Sequence, residues 1–171
     1  MTKTWLNQYL LESNQTVFPG GVASQITYTY GTLGVVTNKS EYDYGQSTPA
    51  RQTIYNYQPF SANPIGSYIY DRPYQVLVED GSGNRVSEVD YLYDGGTPAG
   101  VSNLTNHDDV NFGTAYTSPR GDVTQKTQWS NTGTSPITTY TYDETGKTLS
   151  VTGSMNNLFD QTPVDRYGFV A

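Results

Sequence analysis

The stretch Thr138-Thr139-Tyr140-Thr141-Tyr142-Asp143-Glu144-Thr145-Gly146-Lys147-Thr148-Leu149-Ser150-Val151-Thr152 carries the pattern that the rest of the chain echoes. Tyr140 and Tyr142 are two residues apart, so on a strand they share one face while Thr139 and Thr141 take the other. Asp143 and Gly146 bracket turn-forming residues, and Gly146 can supply a positive φ. Leu149 and Val151 then resume the alternation. The stretch reads as strand, tight turn, strand. The same Tyr-x-Tyr core recurs at Tyr28/Tyr30, Tyr42/Tyr44, Tyr55/Tyr57, Tyr68/Tyr70 and Tyr91/Tyr93.

Working outward, Gln25–Tyr30, Val35–Tyr44, Arg51–Tyr57 and Gly66–Tyr70 are expected strands. The first tyrosines of these successive pairs lie 14, 13 and 13 residues apart. Strands at that spacing, separated by Gly31–Gly34, Gly45 and the prolines at 49, 59, 64 and 73, predict an antiparallel meander. Similar spacing is expected to keep similar register, placing Tyr42, Tyr55 and Tyr68 near one another as a tyrosine ladder. Gln75–Glu79 and Arg85–Asp94 flank Asp80-Gly81-Ser82-Gly83-Asn84, a hairpin with a glycine-bearing turn. Gly95–Asp109 reads as a loop, and Tyr116, Val123–Trp129 and Ile137–Tyr142 restore strand character. Met1–Leu11 carries Trp5, Leu6, Tyr9 and Leu10 at helical spacing and is either a short helix or an irregular lead-in. The expected organisation is a lead-in over 1–21, a repeat β region over 22–152 and a non-repeat tail over 153–171. The fold class is all-β, a meander of hairpins forming a twisted sheet, with less than about a tenth helix.

The 171 residues suit one domain, yet the mean hydropathy is −0.60 and burial must lean on sixteen tyrosines. Charged residues make up only 15%, but the aromatic content argues for order rather than disorder. A net charge of −7 with nine scattered basic residues argues against a nucleic-acid partner. With no cysteine, disulfides and thiolate metal sites are excluded. No stretch has the pattern of a signal peptide, and none approaches a membrane helix, so no membrane insertion is expected.

At Tyr140–Lys147, followed by Leu149 and Val151, the chain resembles a YD repeat of the Rhs family. Ser67-Tyr68-Ile69-Tyr70-Asp71 and Asp90-Tyr91-Leu92-Tyr93-Asp94 carry the same tyrosine-aspartate core. Arg120-Gly121-Asp122-Val123-Thr124 resembles the Arg-Gly-Asn-Val-Thr turn of that family. The likeness spans roughly Val22–Thr152, with Gly31, Gly45 and Gln58 where the family often has Asp. It implies hairpins built into β-sheets that spiral into hollow shells, as in bacterial polymorphic toxins, toxin-complex subunits and teneurins. A complete shell is several times longer, and its Asp-Pro-rich self-cleavage motif is absent here. The resemblance therefore implies a fragment or short relative, extracellular or at the cell surface, with no catalytic residue to carry over.

The candidate sites read as structural. His107-Asp108-Asp109 has a single His and reads as a polar loop, with no metal set and no Ser-His-Asp pattern. Asp80, Ser82 and Asn84 mimic the first ligands of a calcium loop, but Arg85 stands where Gly is needed and Tyr91 where Glu is needed. Gly81-x-Gly83 is too short for a phosphate fingerprint. Glu41/Asp43 and Asp90/Asp94 are local carboxylate pairs beside repeat tyrosines rather than two acids across a cleft. Arg120-Gly121-Asp122 spells an adhesion tripeptide at a turn, and the repeat pattern already accounts for it. Asn14, Asn38 and Asn103 begin glycosylation sequons in an Asn/Thr-rich chain. No catalytic residue, cofactor or metal is expected. The expected function is a structural β-repeat protein that self-associates through sheet edges. The alternative is a carbohydrate- or surface-binding module that uses exposed tyrosines.

Overall fold

The computed structural model describes residues 1–7, 10–60, 68–116 and 118–153. It is all-β: ten strands follow one another in chain order in a single antiparallel meander sheet that does not close on itself. They are β1 (Thr2–Trp5), β2 (Leu11–Val17), β3 (Ala23–Tyr30), β4 (Val36–Tyr42), β5 (Arg51–Tyr57), β6 (Pro73–Asp80), β7 (Arg85–Tyr93), β8 (Val123–Gln128), β9 (Ile137–Tyr142) and β10 (Thr148–Gly153). Among the described residues the only helix is one turn, α1 (Asp109–Phe112). The chain divides into two compact units, residues 1–58 with 70–89 and residues 59–69 with 90–171.

Four hairpins use one turn. In Phe18–Val22, Gly31–Val35, Asp80–Asn84 and Asp143–Lys147 the first N–H donates to the fifth carbonyl at 2.9–3.0 Å, and the fourth N–H donates back to the first carbonyl at 3.0 Å. The fourth residue is always glycine with positive φ, at 83°, 76°, 79° and 81° for Gly21, Gly34, Gly83 and Gly146. This is the three-residue hairpin loop closed by a left-handed residue, where a Cβ is strained. Where the first residue is Asp, its carboxylate adds a cap. Asp80 Oδ1 accepts from the N–H groups of Ser82 and Asn84, both at 2.9 Å. Asp143 Oδ1 accepts from the N–H groups of Thr145 and Lys147 at 2.9 and 3.1 Å.

In the first unit the register places Ile26, Tyr28, Lys39, Glu41, Thr53, Tyr55, Val76 and Val78 on one face. The other face places the Ile54–Leu77 pair among polar residues that bond across the strands. Gln52 Nε2 donates to Ser40 Oγ at 3.1 Å, Asn56 Nδ2 to Gln75 Oε1 at 2.8 Å, and Gln75 Nε2 to Glu88 Oε1 at 3.2 Å. Among the described residues Val78 is the one buried apolar side chain, and it pairs across the ladder with buried Thr53. Cross-strand pairs, not a sealed core, hold this sheet.

Tyrosine hydroxyls supply a second recurring bond. Tyr30 donates to Leu11 O, Tyr57 to Val36 O and Tyr142 to Val123 O, each at 2.7 Å. In each case the second tyrosine of a pair, at the end of its strand, bonds the first residue of the preceding strand. Antiparallel pairing brings those two ends side by side.

Several expectations are corrected. The described residues of Met1–Leu11 are not helical: Thr2 and Thr4 pair with Gln15 and Ser13, and Asn7 Oδ1 accepts from Leu10 N at 2.9 Å. Tyr68–Tyr70 is not a strand, and Tyr68 is 80% exposed. The tyrosine ladder fails with it. Glu41 pairs with Arg51 and Asn38 with Ile54, so Tyr42 and Tyr55 fall at opposite ends of their strands. A one-strand spacing reverses direction in a meander and cannot keep equal positions adjacent. Tyr44 and Tyr116 also lie outside strands, whereas Pro73 opens β6, where a missing N–H is tolerated. Gly66–Ser67 and Met155–Ala171 fall outside the described residues.

Replacing Tyr30, Tyr57 or Tyr142 by Phe should each lower stability by about 0.5–1.5 kcal/mol, read from urea unfolding. Burial foremost, then the nearby Tyr55 and Asp71, raises the Tyr57 hydroxyl above its usual value. Burial, then Asp122 and Tyr140, does the same at Tyr142. A raised folded value means this contribution is intact below about pH 10 and is lost as pH rises through the folded value. The wild-type advantage over the Tyr57→Phe and Tyr142→Phe variants should therefore vanish in strong alkali.

Candidate functional site

The second unit departs from the repeat at one place. Asp94 ends β7 as Asp143 ends β9, but no short turn follows. The chain leaves through Gly95-Gly96 and returns only at Asp122 before β8. Asp94 adopts a φ of 55°, and its carboxylate caps the far end of this long connection. Oδ2 accepts from the N–H groups of Arg120 and Gly121 at 3.1 and 3.0 Å, and Oδ1 from Asp122 N–H at 3.0 Å. Gly95 N–H donates to Thr124 Oγ1 at 3.0 Å. A Cβ on Gly95 would lie 2.9 Å from that oxygen, so the approach suits glycine.

Arg120 clips the connection shut. Its guanidinium donates to Glu144 O at 2.9 Å, Phe112 O at 2.8 Å and Gly113 O at 2.9 Å, and it lies 5.2 Å from the centre of the Tyr116 ring. The rigid planar fork suits this, since one group meets carbonyls from two segments. The turn after β9 holds the other side. Ala99 bridges Asp143, with Ala99 N–H donating to Tyr142 O and Glu144 N–H to Ala99 O, both at 2.9 Å. Glu144 Oε1 accepts from Val101 N–H at 2.6 Å. Asp143 and Glu144 are buried, at 5% and 8% exposure, and both act as backbone caps.

Between this connection and β8–β9 lies a recess of about 420 Å3. Tyr140 and Tyr142 share one face of β9 and line it with Thr124; Tyr116, Pro119 and Arg120 close it from the connection.

The expected site residues are not brought together. His107 Nδ1 lies 2.6 Å from Asp109 Oδ1, while Asp108 turns away to cap α1 through Asn111 N–H and Nδ2 at 3.1 and 2.7 Å. Those Asn111 bonds, the side-chain one foremost, hold the Asp108 carboxyl below its ordinary range. Among the described residues no group of three metal-binding side chains forms. Asp80 caps its own hairpin, and bonds from Asn84 and then Ser82 lower its carboxyl. Glu41 pairs with Lys39 at 2.9 Å and approaches Arg51 at 3.9 Å; Asp43 Oδ1 accepts from Tyr44 N–H at 2.7 Å. The Arg120-Gly121-Asp122 tripeptide is not available for adhesion, because its guanidinium and all three N–H groups are bonded internally. Asn14 and Asn38 sit within β2 and β4, whereas Asn103 is exposed at a φ of 63°. Sequence reasoning missed the clip itself; its signals were Tyr93-Asp94-Gly95-Gly96 and the Arg-Gly-Asp turn.

No protein-family model matches the chain, and no curated protein matches it. No helix of the described residues is long and apolar enough to cross a membrane.

Arg120→Lys should keep the charge but lose the fork. Amide exchange at Val101 and Gly121 should accelerate at least about tenfold, while amides of β5–β6 stay unchanged. Burial acts to raise the Asp143 carboxyl, but bonds from the Thr145 hydroxyl and the N–H groups of Lys147 and Thr145 outweigh it and leave it lowered. A lowered folded value gives stability that is present above about pH 4 and is lost as pH falls through that value. Asp143→Ala should cost about 1.5–3 kcal/mol at neutral pH, with the gap to wild type closing in acid.

Proposed function

We propose that this chain is a structural β-repeat segment, part of a shell, fibre or self-assembling scaffold at the cell surface or outside the cell. The observation that carries the reading is the open meander. Ten strands follow one another in order, four of their hairpins share one turn type, three strand ends are tied to the preceding strand by a tyrosine hydroxyl, and the described residues include almost no sealed apolar core. Such a sheet grows by adding strands, and its function is the surface it builds rather than a reaction. The tyrosine-aspartate hairpins, and the likeness of their sequence to Rhs-type YD repeats, support the same reading. The partner is then another copy or further repeats, and the net charge of −7 gives no reason to expect nucleic acid.

The end strands β1 and β10 are the surfaces through which such growth would pass. The four side chains of β1 are exposed, and β10 carries no proline or charge. Within the two strands themselves, neither proline nor charge protects the edge, apart from Lys3 on β1. Sedimentation of the purified chain should show concentration-dependent species larger than a monomer. Leu149→Lys and Val151→Lys, at side chains each 37% exposed on β10, should shift the distribution to monomer. A monomer at every concentration would remove the self-assembling form of the reading. A second reading, carbohydrate binding, is favoured by one observation, the recess beneath the Asp94–Asp122 connection.

A further inference from the structure

We propose that the recess between β8–β9 and the Asp94–Asp122 connection binds a neutral saccharide. The inference rests on the second reading above, carbohydrate binding, and not on the scaffold reading. It follows from what the walls of the recess have left to offer once their internal bonds are counted.

Of the three charged side chains in the lining, those of Asp94 and Arg120 are committed. Both oxygens of Asp94 accept backbone N–H groups, three in all. The Arg120 guanidinium is held by three carbonyls and stacked against Tyr116. An anionic ligand would therefore find no free cation among the described lining residues and would face Asp94 and Asp122. A cationic ligand would be drawn by the same carboxylates, but both Asp94 oxygens are taken by backbone N–H groups, and Arg120 stands over the Tyr116 ring and repels a second cation. The uncommitted groups are neutral. Among the described residues the Tyr116 and Tyr140 hydroxyls have no hydrogen-bond partner, nor has the Ser118 side chain. Tyrosine rings come from two directions, Tyr140 and Tyr142 from the sheet and Tyr116 from the connection.

Flat rings beside hydroxyls that can both donate and accept, with the one lining cation already held, complement a pyranose. Its C–H faces pack on aromatic rings while its rim of hydroxyls hydrogen-bonds the edges. The volume of about 420 Å3 lies within the roughly 300–1,000 Å3 range of small-ligand pockets. The site is also preformed: Arg120, Glu144 and Asp94 hold the connection against the sheet, so little ordering accompanies binding.

The test is a nitrogen-15 NMR titration of the whole chain with methyl glucoside, methyl mannoside, methyl galactoside, N-acetylglucosamine, cellobiose and lactose, alongside choline and inorganic phosphate. At least one saccharide should shift the Gly95, Gly96, Thr97 and Thr141 amides saturably, and choline and phosphate should not. Tyr140→Phe, which keeps the ring, should weaken binding by about two- to tenfold, the loss of one hydrogen bond. Tyr116→Ala, off the sheet, should weaken it more, and Tyr74→Ala on β6 should change nothing. The proposal is overturned if no saccharide shifts these amides at about 10 mM, if choline or phosphate shifts them instead, or if Tyr74→Ala weakens binding as much as Tyr116→Ala.

Discussion

The hydrogen bond from a strand-end tyrosine to the first carbonyl of the preceding strand is the contact on which this sheet most depends. A β-sheet with little apolar burial has two weak places, its faces and its strand ends. The faces here are held by cross-strand pairs of Thr, Ser, Asn, Gln and Tyr, each modest in energy. The ends would fray. Tyr30, Tyr57 and Tyr142 each span a strand end with a 2.7 Å bond, and each ring covers the neighbouring strand beneath it. That explains why tyrosine, rather than phenylalanine or valine, recurs at these positions: the ring and the hydroxyl are both in use.

Aspartate does for the turn what tyrosine does for the strand end. In Asp80 and Asp143 one carboxylate oxygen gathers the N–H groups that a three-residue turn leaves unpaired. Gly31 and Phe18 show that the backbone alone can form the same turn, so the carboxylate reinforces the geometry rather than dictating it. Asp94 applies the same chemistry to a different problem. Its three N–H partners lie 26 to 28 residues away, so a cap that elsewhere closes a turn here closes a long connection. The connection, freed from the sheet between its ends, leaves room for a recess that a tight hairpin could not contain.

The open sheet and the recess put different demands on one chain. Growth at an edge requires a strand with few charges, and β10 carries none. A recess requires a fixed wall, which Arg120 and Glu144 provide by bonding backbone on both sides. The two features sit on different groups, backbone at the edge and side chains at the recess, so each can be altered without the other.

Local pattern determined much of this protein. Alternation and turn chemistry operate within about five to fifteen residues, and they placed β5 at Arg51–Tyr57, the Asp80 and Asp143 turns and the all-β class. They failed where the same residues suit two periods: Trp5, Leu6 and Leu10 fit a helical stripe, yet pairing of Thr2 with Gln15 made β1 a strand. They failed again at Tyr68-Ile69-Tyr70, where the tyrosine pattern is present without a strand. Register, the tyrosine-to-carbonyl bonds and the Arg120 clip were decided only by tertiary structure. An antiparallel meander reverses direction at every turn, so a residue's neighbour is set by strand lengths and bulges added along the chain, and the partners of a guanidinium are set by how a long connection closes.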